Sequence, residues 1–314
     1  MKIPWFEQAS RRRKFMIGVS GGMDSVALLH MLHEAGFRKV IVCHLDHGLR
    51  GNSSAGDSKF VSLLAKAMGY GVIVGKSNVR CMMKHTGDSL ETAGRTARHA
   101  FFADCAKEQR CRTLLLAHHA DDQAETVLWN LLRGSLGFRG MSEETEINMA
   151  GREMHVVRPL LGVRKNDIRD WMDARRHAWR EDASNAVNDV VRNRIRNEAI
   201  PLLDDIAKRD VTSVLLRSAE TDDTWRNLLD WAKMRASALD PQGRIHLRTF
   251  RELPSVLRNA VMADYLRAGG VVQLDRDLLG RCDLLSDVHQ PAVVNLPGGR
   301  FLKRRQGRIF IDES

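Results

Sequence analysis

Short apolar runs alternate with amphipathic stretches through the first half of the chain. Apolar runs bounded by polar residues predict strands, whereas apolar positions spaced three and four apart predict helices. The predicted strands cover residues 14–19, 39–45, 70–75, 113–117 and 154–157. The predicted helices cover residues 24–34, 57–68, 88–109, 121–133 and 163–176. This alternation predicts an α/β domain with a parallel sheet and helices on both faces.

The alternation stops at a polar segment over residues 179–188. The pattern beyond it predicts mainly helices, over residues 189–204, 215–235, 253–268 and 276–285. A Pro-Gly-Gly sequence at residues 297–299 predicts a turn between two short strands near the end of the chain. We therefore place a domain boundary near residue 210, with a larger α/β domain before it and a smaller, mostly helical domain after it.

The composition is that of a folded globular protein, with 43% hydrophobic and 28% charged residues. The apolar run at residues 15–19 is too short for a signal-peptide core, and no run approaches the ~20 residues that span a bilayer. The five cysteines are widely spaced and form no C-x-x-C pair, which indicates reduced thiols. We expect a cytoplasmic protein without a membrane partner.

Basic residues outnumber acidic ones by 49 to 39, which gives a formal net charge of +10 at pH 7. Arginine contributes 37 of the 49 basic residues. Because guanidinium groups bind phosphates through paired hydrogen bonds and stack on bases, this excess favours a nucleic-acid partner. A highly charged, solvated surface would give the same balance, so charge alone leaves both interpretations open.

The densest chemical signal follows the first predicted strand and opens the first predicted helix. Its two glycines allow positive φ and a close approach of the backbone to a ligand, and the amides of a helix N-terminus bind anions. Its hydroxyl groups add donors, and a carboxylate beside an anion is typical of Mg²⁺ binding. The segment lacks the Gly-Lys-Ser/Thr of the common nucleotide P-loop. The predicted phosphate site consists of Ser20, Gly21, Gly22, Met23, Asp24 and Ser25.

This segment resembles the PP-loop of the N-type ATP pyrophosphatases, which cleave ATP to AMP and pyrophosphate. Further motifs, in family order over roughly residues 14–204, resemble the tRNA(Ile)-lysidine synthetase family. They are H-L-D-H-G-L-R at 44–50, E-T-A-G-R-T-A-R at 91–98, A-H-H-A-D-D-Q-A-E-T at 117–126, R-G-S at 133–135, R-P-L-L at 158–161, E-D-A-S-N at 181–185 and R-N-R-I-R at 192–196. The last third matches more loosely, as expected for a short form of the family.

The resemblance implies a defined reaction. A ligase of this family binds ATP, Mg²⁺, free L-lysine and the isoleucine tRNA with a CAU anticodon. It adenylates the 2-carbonyl oxygen of the wobble cytidine, and the lysine side-chain amine then displaces AMP to form lysidine. The resemblance also implies a Rossmann-like catalytic domain over residues 1–210 and a tRNA-positioning domain over residues 211–314.

Two carboxylates, Asp122 and Glu125, lie three residues apart on a predicted helix that follows the fourth strand. They therefore share a helix face at the carboxyl end of the sheet. That arrangement suits a ligand with two ammonium groups, and either carboxylate is placed to accept a proton from an attacking amine. The family resemblance assigns both to lysine and to catalysis. The alternative is a solvated helix face.

Three basic or titratable side chains are further catalytic candidates. His118 and His119 end the fourth strand, where either is placed to act as an acid or base. His119 aligns better with the histidine of the family, although the sequence alone does not choose between the two. Arg98 matches a family arginine near the reacting groups, where it would stabilise developing charge. A surface salt bridge is the alternative for Arg98.

The resemblance places the adenosine beside Asp46 and His47, which follow the second strand; loop capping is the alternative. Basic clusters in two parts of the chain are candidates for contact with the tRNA backbone. The strand pattern puts alternate residues of the second cluster on opposite faces, so that not all of them reach one ligand. The predicted tRNA contacts are Arg192, Arg194, Arg196, Lys303 and Arg305.

Two other functions remain open from the sequence. A PP-loop tRNA thiolase would need a catalytic cysteine pair or a cysteine-bound iron–sulfur cluster. A non-catalytic tRNA-binding protein would not need Ser20, Asp24 and Ser25, which are all present. The oligomeric state and the tRNA identity elements cannot be derived from this pattern of residues.

Overall fold

The computed structural model describes residues 2–46, 48, 52–135, 137–180 and 190–312. The chain forms two compact units, Met1–Ala219 and Glu220–Ser314. The division lies within one helix, further along the chain than the boundary expected near residue 210. Most of the predicted polar segment at 179–188 lies outside the described residues, as does His47.

The first unit contains a six-stranded sheet in the order β3-β2-β1-β4-β6-β5. All neighbouring strands are parallel except β5 and β6, which form an antiparallel hairpin. The parallel sheet predicted from the sequence is confirmed, and β5 is a strand that the sequence did not predict. The strands are β1 (Phe15–Gly18), β2 (Val40–Asp46), β3 (Gly71–Lys76), β4 (Thr113–Leu115), β5 (Glu144–Met149) and β6 (Arg152–Val157).

The helices of this unit lie near their predicted positions, with two short additions, α1 and α4. They are α1 (Pro4–Gln8), α2 (Met23–Glu34), α3 (Asn52–Ala67), α4 (Val79–Thr86), α5 (Leu90–Gln109), α6 (Ala120–Leu132), α7 (Lys165–Ala174), α8 (Val190–Arg194) and α9 (Ile200–Ala207). A π-helical turn, Ile195–Ala199, joins α8 to α9. Pro201 follows it in the first turn of α9, where its missing amide hydrogen costs little. The last helix to begin in the unit is α10 (Val211–Ala236).

Each face of the sheet has its own hydrophobic core, because successive strand residues point to opposite sides. Ile17 packs in the cluster that includes α2, α3 and α7, whereas Met16 packs with Phe102 of α5 on the other face. The carboxyl ends of β1 and β4, which are neighbours, therefore open between the two helical layers. In open α/β sheets a ligand binds at this position.

The second unit combines helices with a small antiparallel sheet in the order β7-β10-β9-β8. The predicted Pro-Gly-Gly turn joins β8 to β9, with φ of +82° at Gly298 and +74° at Gly299. The helical character is confirmed, while the sequence predicted only part of the sheet. The elements are β7 (Ile245–His246), α11 (Leu247–Glu252), α12 (Ser255–Ala268), α13 (Arg276–Asp283), β8 (Val293–Asn295), β9 (Phe301–Arg305) and β10 (Arg308–Asp312).

Within the described part of the chain, we find no helix with both the length and the apolar composition that a bilayer crossing requires.

The first turns of α10 belong to the core of the first unit. Leu215 is 7% exposed and packs in a cluster with Ala124 and Val127 of α6. We expect Leu215→Ala to lower the free energy of unfolding by about 2–5 kcal/mol, because a buried leucine leaves a cavity. Leu228, on the same helix, is 50% exposed. Leu228→Ala should change stability by less than about 0.5 kcal/mol. Equal losses in urea denaturation of the two variants would contradict this placement.

Candidate active site

The predicted phosphate loop lies between β1 and α2, at the carboxyl edge of the sheet. Gly21 has φ of +100°, a conformation that favours glycine. The Ser20 and Ser25 hydroxyl oxygens lie 3.1 Å apart, and the Ser25 hydroxyl donates to the Gly22 carbonyl at 2.9 Å. The Gly22 amide donates to the Ser20 hydroxyl at 3.2 Å. Hydrogen bonds of its own hydroxyl groups therefore stabilise the conformation of the loop. The N-terminus of α2 follows directly, with its positive dipole end beside the loop.

His119 lies opposite this loop and caps α6. Its Nδ1 accepts from the Asp122 amide at 3.3 Å, and the Asp122 carboxylate accepts from the His119 amide at 3.1 Å. This reciprocal cap leaves the hydrogen of the neutral imidazole on Nε2. Nε2 lies 3.6 Å from Asp24 Oδ2 and 3.5 Å from Asp122 Oδ2. The side chain of His119, which is 1% exposed, thus joins the phosphate loop to the start of α6.

The charged side chains around His119 shift one another's pKa values toward the ionised forms. Burial alone would raise the pKa of Asp24, but the hydrogen bond with His119 and the charges of His119, Lys165 and Arg196 together lower that pKa. Burial alone would lower the pKa of His119, but the carboxylates of Asp24, Asp122 and Asp121 raise it. Asp24 is therefore held as a carboxylate. A second proton on the His119 imidazole would have to displace the Asp122 amide from Nδ1.

The predicted carboxylate pair contacts an arginine from the π-helical turn. Arg196 donates through Nε to Glu125 Oε1 at 2.5 Å and through Nη2 to Glu125 Oε2 at 3.0 Å. Its Nη2 also lies 3.3 Å from Asp122 Oδ1. Glu125 is 3% exposed, and burial raises its pKa although Arg196 opposes the shift. In this structure the acidic pair is therefore neutralised by a guanidinium of the same chain.

The remaining predicted residues of the first unit lie around this centre. Arg98 is exposed on α5, close enough for its charge to lower the pKa of His118. Asp46 accepts from the Gly48 amide at 2.8 Å, as expected for a capped loop. Arg192 is exposed, and Arg194 pairs with Glu198 at 3.0 Å across one turn.

In the second unit, Lys303 pairs with Asp312, its neighbour on β10, and Arg305 is exposed. Arg304, between them, donates instead to backbone carbonyls, including that of Gln290 at 2.8 Å. The expected alternation of this basic cluster along the strand is therefore seen. Whether these arginines and lysine touch RNA stays a prediction.

One oxygen of Asp24 is suited to a metal ion. Asp24 Oδ1 is buried and has no hydrogen-bond partner among the described residues. Over the same residues, we find no group of three or more His, Cys, Asp or Glu arranged to hold a metal. A cation here would take one protein carboxylate and complete its shell with water and phosphate oxygens, as Mg²⁺ commonly does.

Two basic residues of this region were missed in the sequence. Lys165 begins α7, and its charge helps to lower the pKa of Asp24. Arg158 directly follows β6 and is 7% exposed, so it is a buried guanidinium at the same sheet edge. Arg158 belongs to the R-P-L-L motif at 158–161. A position next to the end of a strand gave no reason to expect that its side chain is buried.

Comparisons with known proteins agree with this geometry. A PP-loop domain profile matches residues 2–203. The tRNA(Ile)-lysidine synthase of Thermus thermophilus is 34% identical over 323 residues, 99% of this chain and 60% of its own length. That of Geobacter sulfurreducens is 40% identical over 209 residues, 66% of this chain and 43% of its own length. The chain thus spans about 60% of the length of the first relative and less of the second.

A solved structure shares the fold. It is the U34-tRNA thiolase of Methanococcus maripaludis with its 4Fe-4S cluster, which has a TM-score of 0.53 and 17% sequence identity. The match covers 66% of this chain and 71% of the thiolase chain.

Removing the guanidinium of Arg196 should leave Glu125 buried without its partner. We expect Arg196→Met to lower the free energy of unfolding by about 3 kcal/mol at pH 8. This value is at the lower end of the range for breaking a buried ion pair, because Arg196 is partly exposed. The loss should shrink as the pH falls to 5. The folded variant then takes up a proton on Glu125, whose pKa is already raised, while the unfolded chain does not.

The matched control for this prediction is Arg194→Met, which removes an exposed pair one turn away. Its effect should stay within about 0.5 kcal/mol at both pH values. Denaturant unfolding of the two variants and the parent chain at pH 5 and pH 8 measures the difference. A loss for Arg196→Met that matches the control, or that grows at low pH, would contradict the pairing.

Proposed function

The chain belongs to the PP-loop family, and from this premise we propose that it is a tRNA(Ile)-lysidine synthetase. The reaction joins free L-lysine to the 2-carbon of the wobble cytidine in the isoleucine tRNA with a CAU anticodon. ATP supplies the energy and leaves as AMP and pyrophosphate. The observation that carries the proposal is the similarity to the T. thermophilus tRNA(Ile)-lysidine synthase, which extends over 99% of this chain.

The first step, adenylation of the cytidine, uses the loop that follows β1. The hydroxyl groups of Ser20 and Ser25 and the N-terminus of α2 bind the phosphates that leave as pyrophosphate. Asp24, whose Oδ1 is buried without a hydrogen-bond partner among the described residues, would hold Mg²⁺, and the bound ion would supply Lewis-acid neutralisation of phosphate charge. Asp46, the last residue of β2, and His47, the next residue in the sequence, would contact the adenosine. Arg98 stabilises charge that develops on the phosphoryl group or on the cytidine ring.

The second step uses the acidic pair. Asp122 and Glu125 bind lysine through its ammonium groups, and one of them, or His119, accepts a proton as the side-chain amine attacks. The contact with Arg196 supports this role, because it shows that the pair accommodates a cation with several N–H donors. Lysine must therefore compete with, or displace, the guanidinium of Arg196.

The proposed contacts with tRNA involve arginines and a lysine outside the ATP and lysine sites. The exposed side chains of Arg192, Arg194 and Arg305, with Lys303, provide charge for backbone phosphates, in keeping with the net charge of +10. The three substrates, ATP, lysine and tRNA, are present in the cytoplasm. We therefore propose that the protein is cytoplasmic.

The thiolase alternative is not favoured. Its chemistry needs reactive cysteines or a cluster held by them. Cys43, Cys105, Cys111 and Cys282 are buried, and Cys81 is exposed. The thiolase of known structure shares the fold at 17% identity and carries no further weight.

The decisive test is the modified nucleoside itself. We expect incubation of the protein with a CAU-anticodon isoleucine tRNA transcript, ATP, Mg²⁺ and isotope-labelled lysine to place the label in a lysidine nucleoside, with one AMP released for each. Asp24→Asn should abolish both AMP and lysidine formation, because the metal ligand is lost. Mass analysis of the digested tRNA measures the product. A thiolated nucleoside, or unchanged cytidine with tightly bound tRNA, would contradict the proposal.

The two steps should separate by mutation. We expect Asp122→Asn and Glu125→Gln, which keep the side-chain shape, to raise the lysine concentration needed for half-maximal rate. The loss of a charge-assisted hydrogen bond corresponds to a factor of about 10–150. Adenylation of tRNA in rapid-quench experiments without lysine should change far less.

The control for this pair is Glu153→Gln, an exposed carboxylate that pairs with Arg112 at 3.2 Å at the other end of the sheet. It should leave the lysine requirement unchanged. A normal lysine requirement in folded Asp122→Asn and Glu125→Gln proteins would remove both residues from the lysine site.

A further inference from the structure

Arg158 is a buried cation without a counter-charge among the residues that the structure describes. It follows β6 at the carboxyl edge of the sheet and is 7% exposed. Its Nη1 donates to the Ser142 carbonyl at 2.8 Å, whereas its Nε is buried without a hydrogen-bond partner. It forms no ion pair with any residue that the structure describes. Burying an unpaired charge is costly, so such a group is maintained where a ligand supplies the missing anion.

A second orphaned polar atom lies in the same region. His118 Nδ1 is buried and also has no hydrogen-bond partner among the described residues. Burial lowers the pKa of His118 to about 4; Asp122 opposes this shift, and the charges of Arg158 and Arg98 add to it. Burial and the charge of Arg95 lower the pKa of Arg158. A neutral imidazole and three guanidinium groups therefore lie near one another at this edge.

The acidic pair borders this basic group, because Asp122 is close enough to His118 to oppose the lowering of its pKa. His119 is extended, with φ of −123° and ψ of −179°, and its imidazole faces Asp24. Consecutive side chains in extended backbone point to opposite sides. His118 accordingly lies on the side of α5, which carries Arg95 and Arg98. His118 and the arginines of α5 therefore lie on one side of β4, and His119 and Asp24 lie on the other.

The chemistry of the anion follows from its surroundings. A carboxylate of a free amino acid carries an α-ammonium on the adjacent carbon, which would sit among these arginines and be repelled. A phosphodiester carries a negative charge and acceptor oxygens with no attached cation, and it accepts bidentate hydrogen bonds from a guanidinium. The nucleotide phosphates of ATP have a separate place on the loop of Ser20 to Ser25.

We propose that Arg158, flanked by Arg95 and Arg98 and assisted by His118, binds a backbone phosphate of the RNA strand that carries the reacting cytidine. This role rests on the proposed function for the identity of the strand. The phosphate accepts from the Nε–H of Arg158, and the Nδ1–H tautomer of His118 donates to a second oxygen, once the side chains that cover these two buried atoms have moved aside. The contact holds the strand against the sheet edge between the two reaction steps.

The test measures RNA binding rather than turnover. Arg158→Met and Arg158→Lys are compared with Arg112→Met, a control with the same loss of charge at a side chain that is 61% exposed beside β4. Filter binding of the CAU-anticodon isoleucine tRNA transcript is followed over a range of salt concentrations. For Arg158→Met we expect affinity to fall by about 10–150-fold. The slope of log affinity against log salt should lessen by about one phosphate contact.

The other variants separate charge from geometry. Arg158→Lys keeps the charge but loses the Nε–H, so the salt slope should stay near that of the parent while affinity falls at least several-fold. Arg112→Met should change affinity less than twofold. The KM values for lysine and ATP should be unchanged in Arg158→Met, whose urea stability should equal or exceed that of the parent because an unpaired buried charge is gone.

Two results would overturn the phosphate site. One is unchanged RNA affinity and salt slope in folded Arg158→Met and Arg158→Lys proteins. The other is a raised KM for lysine or ATP with normal RNA binding. That result would show that Arg158 binds an anionic group of that substrate and not of the RNA. Failure of the parent protein to form lysidine overturns the proposed function instead, and the binding measurements distinguish the two cases because they need no reaction.

Discussion

His119 caps α6 and also contacts Asp24, and the rest of the site depends on this double contact. The cap ties the imidazole to the first turn of α6 through the Asp122 amide and carboxylate. The same ring approaches the phosphate loop through Nε2. Because β1 and β4 are parallel neighbours, their carboxyl ends lie side by side, and one imidazole can span them. The two steps of the proposed reaction are thereby held at adjacent positions.

Buried charge makes this arrangement sensitive to its partners. Burial raises the pKa of Glu125 although Arg196 opposes the shift, whereas His119, Lys165 and Arg196 together lower the pKa of Asp24. The π-helical turn between α8 and α9 carries Arg196 to the acidic pair. A cation that replaces this guanidinium must restore the same balance, which restricts the pair to ligands with strong N–H donors. Arg158, which follows β6, has no ionic partner among the described residues, and the proposed phosphate would supply one.

The sequence predicted the central strands well because they are buried on both faces and thus have continuous apolar runs. It did not predict β5, whose residues alternate between exposed and half-buried positions at the edge of the sheet. The short helices α1 and α4 were also missed, since one or two turns carry too little periodicity. The loop of residues 20–25 lies between β1 and α2 as predicted, because glycine and hydroxyl residues between a strand and a helix favour such a loop without tertiary contacts.

Local chemistry along the chain therefore determined the α/β architecture, the phosphate loop and the acidic pair at the end of β4. Tertiary structure decided which charges face one another. Arg196, a candidate for RNA contact, also contacts Glu125, 71 positions earlier in the chain, and Arg158, part of a motif in the sequence, is buried in the structure. The physical reason is that burial and pairing of a charge depend on the elements packed around it. Those elements come from distant parts of the sequence, and spacing along the chain does not encode their distance in space.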